Sequence, residues 1–517
     1  MNIKNLDILL VLFIFINSYF CFAQNDIEII TDISKLCTID TAGCNLVVDE
    51  QLSDSEYSLK LVRPTHNWFS GLFEGIDTTK EIIFSLSMNG NSVEGTVADV
   101  AKWDGLRPVY TYGKYRDYNT YIYYTKNFDG YWISSDYFLA DENKFAGNGK
   151  IPIQSIIPSE LAEEFLSEDG NYWSAWQEIT DCYINTASNT FFMTKQFNSP
   201  NIAIAIKYPY SYDYQFEYMA KLKDSQISGV IVHNIGKSKS KEYDLLIIEV
   251  HDPKASVEEL QDRRVVLIYA NEDGNEPDGS WVVNGSINYL IESIKTNDKF
   301  VMDTLKEVTF LFVPMFDPDG SSESSYSKIT SDFLIPNLDN VRDEVVAYIK
   351  FINQWCGKNG NRLDLVVNLH NIECNEAPNI ICPFIDIENE KTVIALNSFV
   401  LKNMPNTIKT SSSIWMTGYT HDRFMGWCSE RWGNINIPYE INSRYPDNRL
   451  SLSGLFNLGE YFVNIFAEYF KSEEYELVMP YIEYKYSKQK KERDEFWSSR
   501  TDKYDPIDLY YIVGRGF

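Results

Sequence analysis

The rhythm of hydrophobic and polar positions divides most of the chain into two parts, residues 24–215 and 216–475. In the first part, short alternating or aromatic-rich runs are separated by turn-forming dipeptides such as Asn89-Gly90 and Asp129-Gly130. Alternation between turn signals is typical of strands that bury one face and expose the other. The clearest runs are 81–88, 120–125, 190–196 and 202–208. The pattern predicts a β-sandwich domain over residues 24–215.

In the second part, short apolar runs alternate with longer amphipathic stretches. The apolar runs are 229–233, 245–250, 265–270, 309–314, 365–369, 380–383 and 435–439, and the amphipathic stretches are 280–294, 340–355, 388–402 and 455–470. Strands that alternate with helices predict an α/β domain with a mixed, mostly parallel sheet flanked by helices. Residues 476–517 are predicted to form a charged, Tyr-rich C-terminal tail.

Residues 1–23 have the features of a signal peptide. A lysine precedes the apolar run 8–16, and Ala23 offers a small residue for cleavage. The run is too short to span a bilayer, so we expect a Sec-type signal and a secreted or periplasmic protein. The competing interpretation is a buried N-terminal strand or anchor. No later run reaches the roughly 20 apolar residues of a membrane helix, so no transmembrane segment is expected.

Composition narrows the classes of partner and of metal site. The 517-residue chain has a formal net charge of −28, which disfavours nucleic acid as a partner because phosphates are repelled. Among its 8 cysteines no C-x-x-C pair occurs, so zinc ribbons and thioredoxin-type redox chemistry lack a signal. Cys37 and Cys44 are close in sequence and indicate a possible disulfide loop.

Three predicted strand ends carry side chains with catalytic chemistry. Asp273 and Glu276 follow the strand 265–270, His370 follows 365–369, and Glu440 follows 435–439. Ligands of α/β sheets bind beyond the carboxyl ends of the strands. Two carboxylates and an imidazole provide the three protein ligands of a catalytic metal, and a further glutamate can act as general base. Each residue also has a structural interpretation: a helix-capping acid, a packed histidine or a salt-bridged acid.

The order and context of these residues resemble a known family. Asp273-x-x-Glu276 followed by Ser280-Trp281, the Pro-Met-x-x-Pro-Asp-Gly of 314–320, the strand 364–370 and the strand end 439–441 resemble motifs of the zinc metallocarboxypeptidases. The likeness is greatest to their cytosolic carboxypeptidase branch. In the first half, the segments 108–110 and 208–212 resemble the β-domain that precedes catalysis in that branch. The resemblance covers about 60 to 475.

The resemblance implies a fold and a set of roles. The fold would be a mixed eight-stranded sheet between helices, with a β-sandwich in front. Asp273, Glu276 and His370 would hold one zinc ion, and Glu440 would activate the attacking water and pass its proton to the leaving amine. Tyr419 lies where the family has a substrate-binding tyrosine. The implied activity is hydrolysis of peptide or amide bonds.

Two features depart from the family pattern. The family's first ligand is histidine, and this chain carries Asp273 there. Two carboxylates cancel the charge of a divalent ion, which weakens its Lewis acidity and favours harder ions than zinc. The second departure is that no Asn-Arg pair follows Pro-Asp-Gly, because the nearest candidate stretch is Asp332-Phe333-Leu334-Ile335. Arg423, Arg431 or Arg444 are the alternative arginines for a substrate carboxylate.

Three functions remain open on the sequence. The leading hypothesis is an exported metal-dependent carboxypeptidase-like hydrolase of peptide substrates. The absence of the Asn-Arg pair favours a second hypothesis, a deacylase or amidase that has the same scaffold and acts on acyl-amide substrates. Asp273 favours a catalytically impaired homologue that acts as a binding protein. Serine hydrolases and other zinc proteases are disfavoured, because G-x-S-x-G and H-E-x-x-H are both absent from the sequence.

Overall fold

The computed structural model describes residues 37–38, 46–61, 69–87, 105–112, 177–200, 202–240, 242–256, 259–260, 263–323, 343–358, 363–372, 378–382, 384–385, 390–411, 416–417 and 424–498. Several predictions lie wholly or partly outside these residues. They concern the signal peptide 1–23, the Cys37–Cys44 pair, the run 120–125, the stretch 332–335, Tyr419, Arg423 and the side chain of Arg431.

The first part of the chain forms two five-stranded sheets, which confirms the predicted strand-rich N-terminal region. Its strands are β1 Cys37–Thr38, β2 Leu46–Ser53, β3 Glu56–Leu61, β4 Ser70–Phe73, β5 Glu81–Ser87, β6 Val109–Tyr112, β7 Gln177–Glu178, β8 Asp181–Asn185, β9 Thr190–Gln196 and β10 Ile202–Ala205. One sheet has the order β1-β4-β10-β6-β7, and the other has the order β2-β3-β5-β9-β8.

Alternate side chains of β5 fill the space between the two sheets. Ile82, Phe84 and Leu86 are buried at period two, as a strand with one covered face requires. The ring of Phe84 lies 4.8 Å from that of Phe73 on the other sheet, measured between centroids. The period of the sequence in this run therefore specifies which face is buried.

The second part forms an α/β unit. Its strands are β11 Val230–Lys237, β12 Asp244–Val250, β13 Arg264–Ala270, β14 Val308–Val313, β15 Leu365–Asn371, β16 Ile380–Ile381, β17 Phe384–Ile385, β18 Thr410–Ser411, β19 Met416–Thr417 and β20 Ile435–Ile441. Its helices are α1 Tyr212–Asp224, α2 Pro277–Thr296, α3 Lys299–Leu305, α4 Pro318–Glu323, α5 Asp343–Lys358, α6 Glu390–Asn403, α7 Phe424–Trp432, α8 Leu452–Tyr469 and α9 Glu473–Ser498.

Eight of these strands form the mixed sheet that the sequence predicts, in the order β11-β12-β14-β13-β15-β20-β16-β18. The central strands β14, β13, β15 and β20 are parallel to one another. The pairs β11–β12, β12–β14 and β20–β16 are antiparallel. Val266 and Ile268 of β13 face one apolar cluster, and Val265 and Leu267 face another. Because both faces are covered, the central strands are continuously apolar rather than alternating.

Two glycines let helices α2 and α8 meet backbone to backbone. A Cβ on Gly459 would lie 2.1 Å from the carbonyl oxygen of Val282, and a Cβ on Gly285 would lie 2.4 Å from that of Phe456. No side chain fits at either contact. Helix α8 therefore packs tightly against α2. Because α2 begins directly after Glu276, this contact also fixes the position of Glu276.

The two parts of the chain share one apolar core. A single buried cluster contains residues of both, among them Phe84 of β5 and Val266 of β13. The indole nitrogen of Trp281 donates to the carbonyl of Tyr208 at 3.0 Å. The boundary near residue 216 and the tail 476–517 stay predictions, although the start of that tail belongs to α9, where Ile482 is buried. No helix within the described ranges combines the length and apolarity needed to cross a membrane.

Candidate active site

Three neighbouring parallel strands bring the predicted site residues to one edge of the sheet. In the pairing of β13 with β15, Ala270 lies opposite Leu369. In the pairing of β15 with β20, His370 lies opposite Glu440. The loop 271–276 and these two side chains therefore occur at the same level of the sheet. This is the carboxyl edge, where α/β proteins place their ligands.

The loop 271–276 is shaped by its first residue and by a close backbone contact. Asn271 has a left-handed φ of 59°, a conformation that asparagine tolerates better than most residues. Its carbonyl accepts a hydrogen bond from the backbone of Asp317 at 3.0 Å. A Cβ on Gly274 would lie 2.0 Å from the carbonyl carbon of Gly320. The Pro-Asp-Gly segment thus packs directly against the loop and holds it in place.

Asp273, Glu276 and His370 form one compact, buried cluster. His370 Nδ1 lies 2.8 Å from Glu276 Oε2 and 3.4 Å from Asp273 Oδ2. One ligand atom from each residue lies within 4.8 Å of the other two. The structure therefore brings together the three side chains that the sequence predicts as metal ligands.

The geometry of this cluster fits a metal ion. Ligands about 2.0–2.1 Å from a tetrahedral zinc lie about 3.3 Å apart. The separation of 3.4 Å between His370 Nδ1 and Asp273 Oδ2 matches this value. The 2.8 Å contact between His370 and Glu276 would widen by about half an ångström. Over the described residues, no other set of three acidic, histidine or cysteine side chains meets this distance criterion.

A second layer of polar side chains orients the ring of His370. Asn368 Nδ2 donates to Glu272 Oε2 at 2.5 Å and lies 2.7 Å from His370 Nε2. The hydroxyl of Tyr269 donates to the same oxygen of Glu272 at 3.4 Å. Nε2 also lies 3.6 Å from Glu272 Oε2, so Nδ1 is the nitrogen that faces Asp273 and Glu276. The sequence prediction does not include this layer, although Asn368 precedes His370 by two residues and so shares its face of the strand.

The ionisation of the cluster is dominated by its burial and by its opposite charges. Burial raises the pKa of the Glu276 carboxyl, His370 lowers it, and Asp273 raises it again. For His370, burial alone lowers the pKa, but Glu276, Asp273 and Glu272 outweigh it and hold the pKa well above its usual value. The three carboxylates thus favour a positive charge at the centre of the cluster, whether from the imidazolium or from a metal ion.

Glu440 has a buried carboxylate oxygen without a partner at the site. Its Oε2 is buried and has no hydrogen-bond partner in the structure. Burial raises its pKa to about 8, although His370 lowers it, and Glu276 and Asp273 raise it further. A carboxyl with such a pKa is suited to exchange protons near neutral pH.

Arg444 connects the two parts of the chain through hydrogen bonds. Its buried guanidinium donates to Glu178 Oε1 at 2.9 Å and to the carbonyl of Leu450 at 2.7 Å. It also lies over the ring of Tyr208, 4.8 Å from the centroid. Since these groups occupy its donors, Arg444 is not available as a clamp for a substrate carboxylate.

Comparisons with known proteins agree with the fold. The family model described as zinc carboxypeptidase matches residues 216–332. A metallo-carboxypeptidase structure from Burkholderia cenocepacia is similar, with a TM-score of 0.59, 12% sequence identity, and coverage of 84% of this chain and 98% of that chain. A search of curated protein sequences gives no match.

A second similar structure is a metallo-carboxypeptidase from Pseudomonas aeruginosa in complex with (2-guanidinoethylmercapto)succinic acid. It gives a TM-score of 0.55 and 15% identity, and the match covers 84% of this chain and 98% of that chain. At these identities the structures show a shared fold, and the similarity to the family model is confined to residues 216–332. Together they confirm the resemblance to the zinc metallocarboxypeptidases and the carboxypeptidase-like fold.

Proposed function

We propose that this protein is an exported hydrolase of peptide or amide bonds that uses one metal ion held by Asp273, Glu276 and His370. The single observation that supports this most is the buried cluster of their ligand atoms, all within 4.8 Å of one another at the carboxyl edge of a parallel sheet. The partner is a peptide or acyl-amide substrate. Export rests on the sequence features of residues 1–23.

Each residue has a chemical role in this proposal. A bound divalent ion would polarise the scissile carbonyl and make water more acidic. Glu440 accepts the proton of the attacking water and then donates it to the leaving amine. A nearby cation also lowers the pKa of Glu440, so that the carboxyl is ionised and basic at neutral pH. Glu272 acts through His370, because its carboxylate lies 3.6 Å from Nε2 of the ring, and Asn368 donates to that carboxylate.

Asp273 changes the charge of the site. With two carboxylates and a neutral imidazole, a divalent ion carries no net charge, whereas two histidines and one carboxylate leave a charge of plus one. The ion is then a weaker Lewis acid. Oxygen-rich ligand sets also favour harder ions, so manganese or magnesium are the competitors of zinc at this site.

Two alternative functions are supported by particular observations. The commitment of Arg444 to Glu178 favours a deacylase or amidase, which needs no clamp for a terminal carboxylate. Asp273 in the first ligand position favours a binding protein that lost its activity. Glu440 argues against the second alternative, because a binding protein has no use for a buried carboxyl with an unpaired oxygen.

Elemental analysis of the purified protein tests the proposal directly. We expect one divalent ion per chain, lost in Asp273→Ala and retained in Glu440→Gln. Hydrolysis of peptides with free C-termini and of acyl amides that carry no carboxylate then separates the carboxypeptidase from the deacylase. A wild-type protein that takes up no zinc, manganese or magnesium would favour the binding protein. Residue 24 as the first residue of the exported chain, found by mass spectrometry, would support export.

A further inference from the structure

A lysine from the N-terminal part of the chain lies beside the metal cluster. Lys207 follows strand β10 and is only 1% exposed. Its Nζ donates to the carbonyl of Ile372 at 3.3 Å, two residues beyond His370. Its positive charge acts on both Glu276 and Glu440 and lowers the pKa of each.

The position of Lys207 is fixed by the fold. The next residue, Tyr208, accepts the hydrogen bond from the indole of Trp281 at 3.0 Å. Trp281 belongs to α2, which begins directly after Glu276. The lysine backbone is therefore anchored to the same helix that positions the metal ligands. Because its backbone is anchored and its ammonium group is bonded to Ile372, Lys207 loses little conformational entropy when a ligand binds.

The ammonium group of Lys207 has unused bonding capacity. An ammonium has three donors, and the bond to Ile372 is the one hydrogen bond that it makes with described residues. No described carboxylate lies within ion-pairing distance of it, although buried charges are ordinarily paired. If Asp273 and Glu276 hold a divalent ion, the charge of that ion compensates their charges, and they no longer offset the charge of Lys207. An anionic group of a ligand would then pair with it.

We propose that Lys207 binds a carboxylate of the substrate, and this inference rests on the proposed function. It makes the substrate an acid, such as a peptide with a free C-terminus or an N-acyl amino acid, and it gives Lys207 the carboxylate-binding role for which no Asn-Arg pair follows Pro-Asp-Gly. A neutral carbonyl oxygen would satisfy a donor but would leave the charge unpaired, which makes it the poorer ligand for a buried ammonium.

Binding of a matched pair of probes tests this without any turnover. The probes are 3-phenylpropanoate and 3-phenylpropanamide, which differ in the charge of the terminal group. Calorimetric titrations use the full-length protein with and without added zinc. We expect the wild-type protein to prefer the carboxylate, and Lys207→Met to reduce that preference about tenfold or more, as loss of a charged hydrogen bond does. Lys207→Arg should retain most of the preference, because the charge is kept.

Controls separate binding from folding. Arg449→Met removes another contact between the two parts of the chain, since Arg449 Nη2 donates to the carbonyl of Gly105 at 2.7 Å. It should leave the preference unchanged. Thermal unfolding identifies any variant that fails to fold, and Lys207→Gln serves as the second uncharged variant.

Three results would overturn the assignment of Lys207. The first is that the wild-type protein binds the two probes with equal affinity. The second is that Lys207→Met keeps the full preference for the carboxylate. The third is that Lys207→Met loses affinity for both probes to the same extent. The last would show a structural role. Because metal content and hydrolysis are measured separately, a failure of the proposed function remains distinguishable from a failure of this inference.

Discussion

The unpaired carboxyl of Glu440 gives a sharp prediction for stability as a function of pH. Substitution by glutamine keeps the shape of the side chain and mimics its protonated form. In the metal-free protein, burial raises the pKa from 4.5 to about 8. At about 1.4 kcal/mol for each unit of pKa, ionising Glu440 in the fold costs about 5 kcal/mol of unfolding free energy.

The sign of this effect follows from proton binding. The folded protein binds the proton of Glu440 more tightly than the unfolded chain does. The contribution of Glu440 to the free energy of unfolding is therefore complete below pH 4.5, and it is lost as the pH rises to about 8. Glu440→Gln has no such loss, so the variant should become more stable than wild type at pH 8 while differing little at pH 5. Urea unfolding of both proteins in chelator, at several pH values, measures the difference.

Glu249 provides a control of opposite sign. It lies 2.9 Å from His233 Nε2 and accepts a hydrogen bond from the Trp355 indole at 2.8 Å. Burial raises its pKa, but these partners and His251 outweigh it and the pKa is lowered. The contribution of Glu249 to the free energy of unfolding is therefore present at neutral pH and is lost as the pH falls. Glu249→Gln should destabilise the protein most above pH 5, and parallel stability curves for wild type and Glu440→Gln would refute the reasoning.

Three further predictions concern the metal, the base and the helix contact. Asp273→His replaces a hard oxygen ligand with imidazole, so zinc affinity measured by competition with a chelator should rise. Loss of a negative ligand should also lower the pH optimum of hydrolysis, and an unchanged optimum would contradict the charge argument. Glu440→Gln should lower the turnover number by about 10²–10⁴-fold with metal content unchanged, and wild-type turnover would exclude it as the base. Gly459→Ala places a Cβ 2.1 Å from the Val282 carbonyl, so its thermal unfolding midpoint should fall, whereas alanine at the exposed Lys299 should not lower it.

The strand-and-helix rhythm was sufficient to predict the architecture. The run 265–270 is apolar throughout because β13 is covered on both faces, and β5 alternates because only one face is covered. Burial imposes these patterns on every residue of a strand, so they can be read locally. The positions of Asp273, His370 and Glu440 follow from the sequence in the same way, since parallel strands that end together place the residues after them at one edge.

Contacts between distant segments were not predictable in this way. Lys207 reaches the site from another sheet, through a bond to Ile372 that spans 165 residues. Arg444 follows Glu440 by only four residues, yet it pairs with Glu178 in the first part of the chain. Whether a charged side chain serves a substrate or the fold depends on which partner is nearest in space.

The sequence by itself therefore determined the two patterns of secondary structure and the chemistry available at the strand ends. The tertiary structure decided which of those groups share a site, how closely His370 approaches the two carboxylates, and which buried charges lack a partner. The physical reason is range. Hydrophobic periodicity is a property of neighbouring residues, whereas pKa shifts and ion pairing depend on burial and on separations of a few ångströms between segments that only the folded chain brings together.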